Sequence, residues 1–140
     1  MTRMPLPDGD PERLARLIEL EEAAALAHRL GGTGLGEQEA EHAAALRSEL
    51  AGFTVRHPGA PTRAEQLSGA ARALAEGDRT AAVALEQELV ATYLREVPAL
   101  VEDGVVRTAA TILASHAQHL ALVRARDVDA RPSGANREAR

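Results

Sequence analysis

Thr111 to Val123 reads TILASHAQHLALV, an apolar stretch carrying two histidines, His116 and His119, three residues apart. A helix sets residues at that spacing one turn apart on a single face, and Ile112 and Val123 share that face. Histidine is a common metal ligand and an uncommon filler of buried surface. What the chain does therefore turns on which other polar side chains point inward beside this pair.

The tight turn Glu102-Asp103-Gly104 precedes this helix, whose inward side carries Val105, Ala109, Ile112, His116, His119 and Val123. Before the turn, Ala82, Val83, Glu86, Val90, Tyr93, Val97 and Leu100 recur at helical spacing. Asp78 is expected to cap that helix, and Pro98 to kink its last turns by removing a backbone hydrogen bond. At the start of the chain Asp10 is expected to cap a helix with Pro11 at its first position and Glu12 against its dipole. Leu14, Leu17, Ile18, Ala24 and Ala25 form its buried stripe, Glu21 and His28 lie on that stripe, and Gly31-Gly32-Thr33-Gly34 stops it. A second helix from near Glu37 to near Gly52 has Leu35, Glu39, His42, Leu46, Leu50 and Phe53 on its stripe.

TVRHPGAP, residues 54–61, reads as a loop that holds His57 before a proline. Thr62 and Glu65 then make a T-x-x-E capping box for a short helix through Leu67, Leu74 and Ala75, ending at Gly77. Together these segments form a crossover of about 25 residues, far longer than a helical hairpin turn.

The two halves repeat one polar pattern. Glu21 is followed seven residues later by His28, and Glu86 by Tyr93 at the same interval. Glu39-x-x-His42 corresponds in the same way to His116-x-x-His119. Each half is thus a helical hairpin that sends one Glu from its first helix and an i, i+3 pair from its second into a common interior. A two-metal carboxylate bundle is built on this pattern, two helices giving a Glu each and two giving Glu-x-x-His. The candidate ligands are Glu21, Glu39, His42, Glu86, His116 and His119, and such mixed oxygen and imidazole donors suit iron, manganese or zinc. Without a metal, burying these charges is expensive.

A chain of 140 residues is one domain by length. It has no cysteine, which excludes disulfides and thiolate metal sites, and its apolar content is Ala, Leu and Val with Phe53 and Tyr93 as the only large aromatics. That composition suits close-packed helices. The formal charge of −5 and the lack of a basic run argue against a nucleic-acid partner. No stretch reads as a membrane span or signal peptide, so the chain is expected to be cytoplasmic. Its expected organisation is a tail over residues 1–10, a helical bundle over 11–125, and a polar disordered tail over 126–140.

Leu85 to Arg124, LEQELVATYLREVPALVEDGVVRTAATILASHAQHLALVR, resembles the second half of bacterial ferritin-like domains. With its polar repeat, the chain resembles the superfamily of ferritins, rubrerythrins and related di-iron proteins. The resemblance implies an all-α, left-handed four-helix bundle, two hairpins joined by a long crossover that contains a short helix. It implies ligands at Glu21, Glu39, His42, Glu86 and His119, with Tyr93 near the metal.

Two features depart from that pattern. His116 stands where the family has a second bridging glutamate, and a neutral imidazole cannot bridge two cations as a carboxylate does, which leaves one metal, a different metal or none. Glu21 also lies farther from the first hairpin turn than Glu39 and His42 do, an expected mismatch of roughly 8 Å along the bundle. His28 is the substitute partner if Glu21 stands too far away. Two function classes follow: a metal-binding protein that handles iron with dioxygen or peroxide, or a metal-free bundle serving as a structural or protein-interaction module, with a homodimer as the simplest partner.

Overall fold

The structure, a computed structural model, describes residues 8–53 and 62–130. All regular elements among them are helical: α1 (Asp10–Gly31), α2 (Gly36–Ala51), α3 (Gly69–Ala75), α4 (Ala81–Glu96) and α5 (Asp103–Ala130). Single 3-10 turns occupy Ala64–Gln66 and Val97–Ala99. Helix α1 pairs with α2 and α4 with α5, while α2 against α5 and α1 against α4 close a ring of four. The short α3 lies in the crossover from α2 to α4 and packs against α1 and α4. The architecture is the expected ferritin-like bundle; residues 54–61, with His57, lie outside the described residues.

The ends of the helices differ from expectation for local reasons. Asp10 does not cap its own helix: its buried carboxylate accepts from the amides of Val101 at 3.0 Å and Glu102 at 2.8 Å, tying the start of α1 to the entry of α5. Ser68, not Thr62, caps the crossover helix by accepting from the Ala71 amide at 3.3 Å, while the Thr62 hydroxyl donates to Glu22. The Asp78 carboxylate accepts from the amide and hydroxyl of Thr80, one turn before α4. Pro98 ends α4 in a 3-10 turn instead of kinking it, because its ring lacks the N–H another helical turn would use. Helix α5 runs on to Ala130, so residues 126–130 are helical and not part of a disordered tail; residues 131–140 lie outside the described residues.

The expected mismatch between Glu21 and His42 does not occur. Gly32, with φ +65°, ends α1 in the left-handed conformation, and the next three residues turn back along the helix. Gly36 then sits so close to α1 that an added Cβ would stand 3.1 Å from the Ala25 carbonyl and 3.3 Å from the Arg29 amide. The loop thus takes up the missing length. With position 36 level with residues 25 to 29, antiparallel pairing brings His42 level with Glu21.

Two apolar clusters fill the bundle and bracket the polar repeat. One gathers Leu14, Leu17, Leu46, Tyr93 and Ile112, the other Ala24, Leu35, Leu74, Leu85 and Leu89. Each fully buried leucine contributes about 1.5–3 kcal/mol relative to exposure. The polar side chains lie between these clusters, shielded from water at both ends.

Because Gly36 sets the register, Gly36→Val is expected to destabilise the protein by about 1–3 kcal/mol through overpacking against α1. Gly69→Ala, whose Cβ meets nothing within 4 Å, is expected to be neutral or stabilising by about 0.5–1 kcal/mol. Urea denaturation of the two variants measures both, and equal effects would contradict the register account.

Candidate metal centre

All six side chains singled out in the sequence converge in the bundle interior. Glu21, Glu39, Glu86 and His116 are fully buried, His119 is 7% exposed, and the His42 side chain 14%. His28, also fully buried, joins them. Each helix of the ring delivers at least one member: Glu21 and His28 from α1, Glu39 and His42 from α2, Glu86 from α4, His116 and His119 from α5.

Glu39 and His116 occupy equivalent central places. Glu39 accepts from His42 Nδ1 at 3.1 Å and His119 Nδ1 at 3.0 Å. His116 donates from Nε2 to Glu21 at 2.6 Å and from Nδ1 to Glu86 at 3.0 Å. The sequence repeat is therefore a repeat of position, but its +7 members cross over. Tyr93, from the second half, donates to Glu21 of the first at 2.5 Å; His28, from the first half, donates from Nε2 to Glu86 of the second at 2.8 Å.

Two supporting residues escaped the sequence reading. Ser115 Oγ lies 3.1 Å from His42 Nε2 and 3.5 Å from His119 Nε2, linking the outer nitrogens of both. Its place one turn before His119 is the signal that marks it as facing the site. Thr33, read only as part of a helix stop, shares a 2.7 Å hydrogen bond with His28 Nδ1 and so holds that ring against Glu86.

The electrostatics follow from these contacts. Burial disfavours the charge on His116, but its bonds to Glu21 and Glu86 outweigh that cost and raise its pKa to about 10. An imidazole donates from both nitrogens only as imidazolium, so geometry and charge state agree. For His42, burial is likewise overcome by Glu21 and Glu39, and its pKa rises to about 9. Burial would lift the Glu21 carboxyl, yet the hydrogen bond from His116 and the attraction of the His42 imidazole 3.6 Å away bring it down to about 2. Glu39 is held below its ordinary range, the bonds from His119 and His42 outweighing burial. Burial, then the charge of Glu21, pushes the Tyr93 phenol well above its usual value, so it stays a hydrogen-bond donor.

Donor atoms of Glu21, Glu39, His42 and His116 lie within 4.8 Å of one another, as do those of Glu39, Glu86, His116 and His119. These overlapping groups share Glu39 and His116, and each has the size to hold a metal ion. One oxygen points to an additional occupant: Glu21 Oε2 is buried and makes no hydrogen bond among the described residues, with His42 Nδ1 at 3.6 Å. A buried carboxylate oxygen that makes no hydrogen bond is costly, and a cation would satisfy it. The residues present fit a divalent transition metal with mixed nitrogen and oxygen donors.

The fold and this buried cluster define an all-helical bundle whose interior gathers carboxylates and imidazoles able to hold a metal ion. The family model for a ferritin-like domain matches residues 24–126, and the chain belongs to that family. The match begins three residues after Glu21, so the place of that residue in the cluster stands on geometry alone. No curated protein and no solved structure matches the chain.

In the metal-free protein the raised histidines bind protons that the unfolded chain, with an imidazole pKa of 6.5, has released. Their contribution to stability is complete below about pH 6.5 and is lost as pH rises through about 9 to 10. Glu21 acts in the opposite sense, its contribution being present above 4.5 and lost as pH falls to about 2. The urea midpoint of the metal-free protein is therefore expected to be highest between about pH 4.5 and 6.5 and to fall steadily into the alkaline range. A midpoint that stays flat up to about pH 10 would contradict this charge assignment.

Proposed function

We propose that the chain is a ferritin-like metalloprotein that binds one divalent transition metal tightly, iron foremost with manganese or zinc as alternatives, and handles dioxygen or peroxide with it. The carrying observation is Glu21 Oε2, a buried carboxylate oxygen without a hydrogen-bond partner inside a group of four potential ligands. Iron bound by such donors would supply redox chemistry toward dioxygen or peroxide.

Charge supports one tight ion rather than two. The two-metal pattern has four carboxylates, which balance two divalent cations. Here His116 leaves only Glu21, Glu39 and Glu86, enough for one cation but short for a second in a buried site. Glu39 and His116 serve whichever group is filled, since both groups contain them. Tyr93 and His28 hold the carboxylates of Glu21 and Glu86 in place, and Ser115 holds the rings of His42 and His119. The flanking apolar clusters exclude water.

Elemental analysis of protein reconstituted with ferrous iron is expected to give about one metal per chain, and His116→Glu, by restoring the fourth carboxylate, about two with faster ferrous oxidation. No gain in metal or rate in the variant would sink this reading of His116.

A second reading, a metal-free module that binds a protein partner or a second copy of itself, has one observation in its favour: apart from Glu21 Oε2, the carboxylates of the cluster are already hydrogen-bonded by its imidazoles and phenol. Chelation separates the two. A tight metal adds about 2.7 kcal/mol when free metal exceeds Kd about a hundredfold, so the metal reading expects a chelator to lower Tm by several degrees. An unchanged Tm would favour the module.

A further inference from the structure

A cleft of about 330 Å³ opens at the end of the bundle where α1 turns into α2. Its floor is apolar, formed by Ala82 and Val123, 2% and 4% exposed. Its rim carries Arg79 and Arg126, with Gly32 and Thr33 on the α1 side. Arg126 donates to the Thr33 carbonyl at 2.7 Å, which fixes its guanidinium at the rim. Arg79 is placed with a guanidinium nitrogen 3.4 Å from where a Cβ on Gly32 would stand, so its head group lies over that glycine. Asp127 also borders the cleft, leaving two guanidiniums against one carboxylate and a net positive rim.

The position of the cleft relative to the cluster is the decisive feature. Ala82 is one turn before Glu86 on α4, Val123 one turn after His119 on α5, and Thr33 bonds directly to His28. Three elements that build the inner site therefore also build the cleft, about 6 Å farther along the bundle axis. The cleft lies over the group formed by Glu39, Glu86, His116 and His119. A cationic rim repels metal cations, so the cleft is a poor entry for the metal itself and a good one for an anion. Its apolar floor disfavours a bare, strongly hydrated anion such as phosphate, which would lose water without gaining donors there.

We infer that this cleft binds a small organic carboxylate, its carboxylate held by Arg79 and Arg126 at the rim and its apolar body lying on Ala82 and Val123 toward the metal group. Guanidinium groups match a carboxylate in shape and charge, and a cleft of this volume admits a ligand of fragment size. That the bound carboxylate is the substrate of the site rests on the metal reading above; the binding itself does not.

Hexanoate is the probe, titrated into the metal-free full-length protein and followed by the amide NMR signals of Gly32, Thr33, Ala82 and Val123. Saturable shifts at those positions are expected, absent with 1-hexanol and with inorganic phosphate. Arg79→Gln/Arg126→Gln should weaken hexanoate at least about tenfold, with Arg79→Lys/Arg126→Lys recovering part of the loss, while helix content and metal content stay at parental levels. Hexanol binding as well as hexanoate, phosphate competing as well, or no saturable shift would each overturn the proposal. Because the titration is run without metal, failure of the metal reading leaves its result intact, and a failed titration leaves the metal count untouched.

Discussion

Three carboxylates buried between two apolar clusters are tolerable only because each faces an imidazole. Glu21, Glu39 and Glu86 are all fully buried, and each accepts from at least one histidine of another helix. Removing one partner from such a pair leaves an uncompensated charge and typically costs about 3–5 kcal/mol. The ring of helices is held together as much by this requirement as by leucine packing, since every long helix supplies a member of the network. Hydrophobic side chains of suitable volume would give equal or greater stability. Keeping charge here is a stability sacrifice, which the proposed metal site would explain.

The repeat gains its meaning from the way its halves interlock. Tyr93 reaches Glu21, and His28 reaches Glu86, so each hairpin positions the carboxylate of the other. Neither half has a complete site alone. The asymmetry lies at the centre, where Glu39 is matched by His116: one central residue brings a negative charge, the other brings two nitrogens aimed at two carboxylates. Against the two-metal pattern of four carboxylates, this interior has one fewer, with His116 in the place of the fourth.

Helices and inward polar positions were legible in the sequence because both obey the 3.6-residue period: Glu39 and His42, or His116 and His119, can only share a face. Axial register was not, because it depends on how the chain between Gly32 and Gly36 folds back, and that is set by a close approach to Ala25 visible only in three dimensions. Caps failed for a related reason. Asp10 had the right neighbours to cap α1, but amides at Val101 and Glu102, about 90 positions away, took its carboxylate. Thr33 lies in a loop and carries no periodic signal, while the signal at Ser115, its place one turn before His119, is overshadowed by the more conspicuous His116 beside it. The crossing of His28 to Glu86 was hinted at by its equivalence to Tyr93, yet a repeat specifies position and not partner.

The most direct test of the metal site is anomalous diffraction at the iron edge from crystals of the iron-loaded protein. The account predicts one dominant peak inside the bundle, bonded to Glu39 and His116 at about 2.0–2.3 Å and completed by ligands from one of the two overlapping groups. A metal found only on the surface, or an interior without a peak at saturating iron, would contradict it.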